Sequence, residues 1–234
     1  DLALALKAER LRIEAPVPGE SYVGIEVPNS EHTIVRLRSL LESPEFAELK
    51  SPLAIPIGRG VSGQPIVSDL ENMPHLMIAG TTNSGKSVCI AALTMSLVMN
   101  NHPDDLKLVM VDPKRVELSR FNGLPHLLGE VETNVERIMA VLRWATTEMD
   151  NRYRLLEVVH ARNLSTYNQK MDKLGKPRLP RIVMLIDELA DLMISAPEDT
   201  EAAIVRLAQK ARAIGIHLVV ATQRPSVEVV TGTI

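Results

Sequence analysis

The chain has 234 residues, 45 % of them apolar, a net charge of −3 and a pI near 6.1, which is enough for one large or two modest globular domains. That balance excludes a bulk attraction to nucleic acid and leaves any such binding to local loops or an assembled ring. One cysteine, Cys89, excludes a disulfide within the chain and fits a reducing compartment. The longest apolar stretch, residues 88–99, is too short to span a bilayer, and the opening residues do not read as a secretory signal.

In chain order, a short helical start through Arg10 is expected, then strand-like pieces at 11–16 and 22–28 and a helix from about Glu31. Pro16, Pro18, Gly19 and Pro28 punctuate them. Residues 1–50 read as part of a small α/β subdomain, and 51–234 as a larger domain. The latter opens with a hairpin whose arms, 53–57 and 65–67, flank a glycine-rich turn. From residue 75 the pattern alternates strand, loop and helix, as in a mainly parallel sheet covered by helices on both faces. Strands are expected at 75–79, 106–111, 182–186 and 218–221. A long helix should start at Val135, capped by Thr133 with Glu136 three residues on, burying Val135, Ile138, Leu142, Ala145 and Met149. Ser195 and Glu198 offer a second capping box for a helix that runs to about Ile214, where Gly215 stops it. Residues 170–181 carry Lys170, Lys173, Lys176, Arg178 and Arg181 and read as a solvated loop, with a nucleic-acid contact as the sharper alternative. The scattered aromatics offer no stacking platform, and the histidines fall at no metal-ligand spacing.

Residues 80–87, Gly-Thr-Thr-Asn-Ser-Gly-Lys-Ser, form a P-loop between an apolar strand and a helix. Gly80 and Gly85 let the backbone curl so that N–H groups converge on phosphate oxygens. Thr81, Thr82, Asn83, Ser84 and Val88 complete the cradle. Lys86 can reach the β and γ phosphates, and Ser87 offers its hydroxyl to Mg²⁺ beside the positive end of a helix dipole. ATP and Mg²⁺ are therefore the expected ligands.

Hydrolysis needs more than a cradle. Two strands end in Asp, and Asp187-Glu188 after Ile182–Ile186 fits a Walker B element better than Asp112, which precedes Pro113-Lys114. Asp187 would order the magnesium shell and Glu188 would act as general base. A strand between the P-loop and Walker B strands suits a RecA-like enzyme. Gln223, after the last strand, could sense the γ-phosphate or be a simple strand-end polar residue. Arg206 and Arg212 are candidates for an arginine acting in trans, with surface solvation as the rival reading.

Residues 80–89, 111–119, 123–127, 186–193 and 208–226 resemble the FtsK/SpoIIIE family of bacterial DNA translocases, and Tyr22–Asn29 resembles that family's junction between its small α and motor β subdomains. The resemblance implies a RecA-like P-loop NTPase in a homo-hexameric ring on double-stranded DNA, pumping it at division or sporulation. It implies Arg212, within Lys-Ala-Arg-Ala, as the trans-acting arginine. It also implies that the motor continues past Ile234 into the DNA-contacting loops, and that a membrane anchor precedes residue 1. The chain would then be a cytoplasmic-side fragment with no membrane contact of its own. A motor for protein secretion or conjugative transfer is the alternative, and a non-motor nucleotide-binding module is a third. Intact Lys86, Ser87, Asp187 and Glu188 argue against the last.

Overall fold

A computed structural model describes residues 5, 11–17, 21–29, 33–81 and 83–232. The helical start through Arg10, the helix start at Glu31 and the P-loop residue Thr82 fall largely or wholly outside them. The chain divides into two compact units, Asp1–Arg36 and Leu37–Ile234. In the first, β1 (Arg12–Glu14) and β2 (Gly24–Glu26) pair antiparallel, Ile13 opposite Ile25.

The second unit opens with α1 (Leu37–Leu41) and α2 (Pro44–Glu48), so these helices belong with the larger unit and the division falls before residue 50. Ser43 caps α2 by accepting the Phe46 N–H, and Pro44 occupies the first turn, where its missing donor costs nothing. The hairpin is β3 (Ala54–Arg59) against β4 (Pro65–Asp69), with a bulge between Pro56 and Gly58.

The central sheet has four parallel strands in the order β5-β8-β7-β6: β5 Leu76–Ala79, β8 Ile216–Thr222, β7 Arg181–Ile186 and β6 Leu106–Val111. The last strand in sequence is inserted between the first and the third. Alternation along β7 explains why it reads as uniformly apolar. Ile182, Met184 and Ile186 enter the core under α4 (Val135–Val158), α6 (Leu189–Ser195) and α7 (Pro197–Lys210). Val183 and Leu185 enter the core under α3 (Lys86–Asn100) and the hairpin. With both faces covered, no polar position remains to mark the period.

Several local expectations are corrected. Asn134, not Thr133, caps α4, its side chain accepting the Arg137 N–H at 3.2 Å. No capping box forms at Ser195: its hydroxyl donates back to the Asp191 carbonyl within α6, and α7 starts at Pro197. After Lys210 the chain tightens into a 3₁₀ turn, Ala211–Ile214, which ends at left-handed Gly215 (φ 71°). Residues 170–181 are not a uniform loop, because Lys170 and Lys173 lie on α5 (Leu164–Lys173). Lys170 donates to the Val159 and His160 carbonyls, Arg178 pairs with Asp172, and Arg181 pairs with Glu71. Much of the basic stretch is thus engaged within the fold.

Candidate active site

All four sheet strands point their C-terminal ends to one edge, and the chemistry-bearing residues collect there. Ala79 lies in register with Thr222, and Val111 with Ile186, so the P-loop, Gln223, Asp187-Glu188 and Asp112 follow neighbouring strand ends. Ligands of open parallel sheets sit at this edge, where the strand order reverses.

The P-loop leaves β5 with Gly80 N–H bonded to the Thr222 carbonyl at 3.2 Å. A Cβ at Gly80 would displace the Ser84 hydroxyl, and Gly85 adopts φ 95°, the left-handed conformation that favours glycine. Gly85 is the N-cap of α3 and supplies no side-chain cap, which leaves the first-turn N–H groups of a 15-residue helix to face an anion. Thr81, Asn83 and Ser84 are exposed around this turn, Val88 is exposed one residue beyond half-buried Ser87, and Lys86 is buried.

Lys86 spans to β7. Its Nζ donates to the Asp187 carbonyl at 2.8 Å and pairs with Asp187 Oδ1 at 2.9 Å, both side chains being at most 4 % exposed. Burial pushes the Asp187 carboxyl upward from its ordinary value, and the Lys86 ammonium opposes that rise without cancelling it.

Glu188 is held on both oxygens. Oε1 accepts from the Thr222 hydroxyl at 2.8 Å and the Gln223 N–H at 3.0 Å, while Oε2 pairs with Lys114 Nζ at 3.0 Å. Burial would raise its pKa, but Lys114, the Gln223 N–H and the Thr222 hydroxyl together bring it below the ordinary glutamate value. Gln223 therefore reaches the site through its backbone as well as its position.

Asp112 is held differently from Asp187. Its Oδ2 accepts the Glu117 and Leu118 N–H groups, each at 2.9 Å, folding the segment after β6. Its Oδ1 is buried with no hydrogen-bond partner among the described residues, and its charge bears on Asp187. Asp112 and Asp187 follow adjacent strand ends, and their carboxylates are oxygen donors of the kind Mg²⁺ takes. Such an ion binds through few protein ligands and takes the rest from phosphate and water.

Sequence reasoning missed Lys114 and Arg120. The Arg120 guanidinium donates to the Ser87 carbonyl at 3.3 Å and lies over the Phe121 ring at 5.2 Å. A cation three residues past a strand that neighbours the Asp187-Glu188 strand was the available signal for Lys114.

Arg212 stands apart from these groups. It is exposed on the turn that precedes β8, at the opposite sheet edge from Thr222, and seven residues at ~3.3 Å each separate the two edges by about 20 Å. An arginine side chain covers well under half of that. Arg206 is paired with Asp150 at 2.8 Å.

Fold and site geometry define a P-loop NTPase of RecA-like build. The FtsK/SpoIIIE family profile matches residues 36–227 and the FtsK alpha domain profile residues 1–29, and the chain belongs to the FtsK/SpoIIIE family. It is 54 % identical over its whole length to a DNA translocase FtsK of Clostridium tetani and 52 % identical to one of Campylobacter jejuni, spanning 32 % and 25 % of those proteins. Among solved structures, it resembles the pCW3 conjugation coupling protein TcpA with ATPγS (TM-score 0.73, 26 % identity, 99 % of this chain and 64 % of that one). It also resembles the type VII secretion ATPase EccC of Thermomonospora curvata (TM-score 0.67, 25 % identity, 82 % and 23 %). Among the described residues, no helix is long and apolar enough to cross a membrane.

Proposed function

We propose that this chain is the ATP-hydrolysing part of a double-stranded DNA translocase that moves DNA during chromosome segregation. The observation that carries the reading is the junction of the P-loop with β7, where Lys86 is ion-paired to Asp187 and the next residue is a buried, polar-bound glutamate. Gly80, Gly85 and the first turn of α3 hold the phosphates, and Lys86 moves onto them from Asp187. Ser87 and Asp187 would hold Mg²⁺, whose charge would offset that of the phosphate oxygens, and Asp112 adds a second carboxylate nearby. Glu188 takes a proton from the attacking water and Gln223 senses the γ-phosphate. Arg212, too far from its own P-loop, would complete the site of a neighbouring copy, as a homo-hexameric ring would allow. We assign residues 1–36 to part of the α subdomain and the rest to the motor. The protein works on the cytoplasmic side, with a membrane anchor in its other parts.

The likeness to TcpA and EccC favours a second reading, a motor for conjugative transfer or protein secretion. Identity separates the two: about half of all positions match DNA translocases, against about a quarter for those neighbours. The test is ATP turnover by the full-length protein with and without long duplex DNA. Stimulation by DNA, with loss of turnover in both Lys86→Ala and Glu188→Gln, is the expected result. Stimulation by a secretion substrate and none by DNA would overturn the proposal.

A further inference from the structure

The loop that joins β6 to the 3₁₀ turn Ser119–Phe121 has a fixed root and an exposed tip. Asp112 fixes the root by accepting the Glu117 and Leu118 N–H groups and, through its carbonyl, the Arg115 N–H at 3.1 Å. Arg115 turns the chain through φ 61°, and Val116 at the tip is 70 % exposed. Between root and tip the loop projects Lys114, whose side chain is 39 % exposed, onto Glu188, whose side chain is 1 % exposed.

Lys114 has two seats. Its Nζ lies 3.0 Å from Glu188 Oε2 and 3.8 Å from Asp191 Oδ2, one turn into α6. With Lys114 in the first seat, Glu188 is engaged on both oxygens: Oε1 accepts from the Thr222 hydroxyl and the Gln223 N–H, and Oε2 takes Lys114 and a longer share of the same N–H at 3.3 Å. A carboxylate offers about four lone-pair sites, and these four contacts leave none of them for water. A short shift of Lys114 toward Asp191 opens a site on Oε2 and loosens the carboxylate's hold on the Gln223 N–H, which the two oxygens share.

We propose that Lys114 is a positioning residue that parks Glu188, so that displacement of the 113–117 loop releases the general base and couples a surface contact to hydrolysis. The inference rests on the reading of Glu188 as the general base. It assigns the Asp-Pro-Lys stretch a task that composition and strand pattern do not reveal. Lys114 itself touches neither phosphate nor water in this scheme.

The test compares wild type, Lys114→Met and Lys114→Arg in the full-length protein. Without DNA, Lys114→Met should raise kcat about fivefold, which is ~1 kcal/mol of barrier. KM for ATP should stay within about twofold, and the stimulation by duplex DNA should shrink by the factor gained, because only the parked state is lost. Lys114→Arg, whose guanidinium still reaches both carboxylates, should restore the dependence on DNA. Hydrogen exchange supplies a readout that needs no turnover. The Gln223 amide, bonded to Glu188, should exchange faster in Lys114→Met than in wild type or Lys114→Arg. A lower or unchanged kcat in Lys114→Met, or unchanged protection of Gln223, would overturn the proposal. Were the wild-type protein unable to hydrolyse ATP, the translocase reading would fall, and exchange at Gln223 would still decide whether Lys114 restrains Glu188.

Discussion

Arg152 is the largest fully buried side chain among the described residues, 2 % exposed in the middle of α4, and its removal should be costly. Its Nε donates to Glu148 one helical turn back at 2.8 Å, and its Nη1 donates to the Pro180 and Ile214 carbonyls at 2.8 and 3.1 Å. Those carbonyls end the segments that lead into β7 and β8, so one guanidinium ties the entrances of both central strands to α4. Burial draws its pKa down, and the Glu148 carboxylate opposes that.

Arg152→Ala strands two carbonyls, at about 1–3 kcal/mol for each one left unpaired, and leaves Glu148 without its partner. Breaking a buried charged network typically costs about 3–5 kcal/mol, so a loss of roughly 4 kcal/mol is expected. For a unit of about 200 residues that corresponds to a Tm lower by about 8–16 °C. Urea unfolding followed through Trp144, the chain's one tryptophan and on the same helix, measures it directly. The midpoint should fall with an unchanged slope. Glu148→Gln, which keeps both carbonyl bonds, should cost about 1 kcal/mol. A loss below about 1 kcal/mol for Arg152→Ala would refute the reasoning, since the carbonyls would then have found other donors at no cost.

Two further outcomes follow from the geometry. Burial, then the neighbouring His217, hold His75 at about pKa 4 against a backbone hydrogen bond with Ala208, below the unfolded value of 6.5. The unfolded state therefore binds more protons between these values, and stability should decline as pH falls from 6.5 to about 4, by ~2 kcal/mol after allowing for its partial exposure. Urea midpoints across that range should slope in wild type and flatten in His75→Gln, and a flat wild-type series would contradict the assignment. Mixing Arg212→Ala with Glu188→Gln subunits should recover part of the lost ATP turnover, because some interfaces then pair an intact Arg212 with an intact Glu188. No recovery at any ratio would exclude a role for Arg212 across the interface.

The parts most legible in the sequence were those whose cause is local. The P-loop is contiguous, and the strands were visible as apolar runs because helices cover both sheet faces. Helix starts were harder: Thr133 and Asn134 are adjacent and both able to cap, and only backbone geometry selects Asn134. At Ser195 a serine three residues before a glutamate matched the capping pattern, but Pro197 sets the start of α7 and the serine hydroxyl turns back into α6. Helix α6 is seven residues long and follows the Walker B strand directly, so its apolar residues merge with the strand's. The basic stretch is a solvated loop over residues 174–180, as read, but its start lies on α5 and three of its charges have partners at Asp172, at Glu71 and on the carbonyls after α4, which charge alone does not reveal. Lys114 was hidden for the same reason: 74 residues separate it from Glu188, and only the pairing of β6 with β7 brings them together.

That pairing and the placement of β8 make the two sheet edges unequal partners in one task. Strand β8 is buried at all seven positions; the turn before it carries Arg212, and its far end supplies the Thr222 hydroxyl and Gln223 N–H that grip Glu188. A close-packed interior transmits displacement because it has little free volume to absorb it. If Arg212 acts on a neighbouring copy as proposed, its contact would bear, through β8, on one oxygen of Glu188, while the 113–117 loop would bear on the other through Lys114. The general base proposed here is thus set from two directions, one across the sheet and one from the surface beside it. Substitutions at Arg212 and Lys114 should accordingly have non-additive effects on turnover, since both act on a single carboxylate.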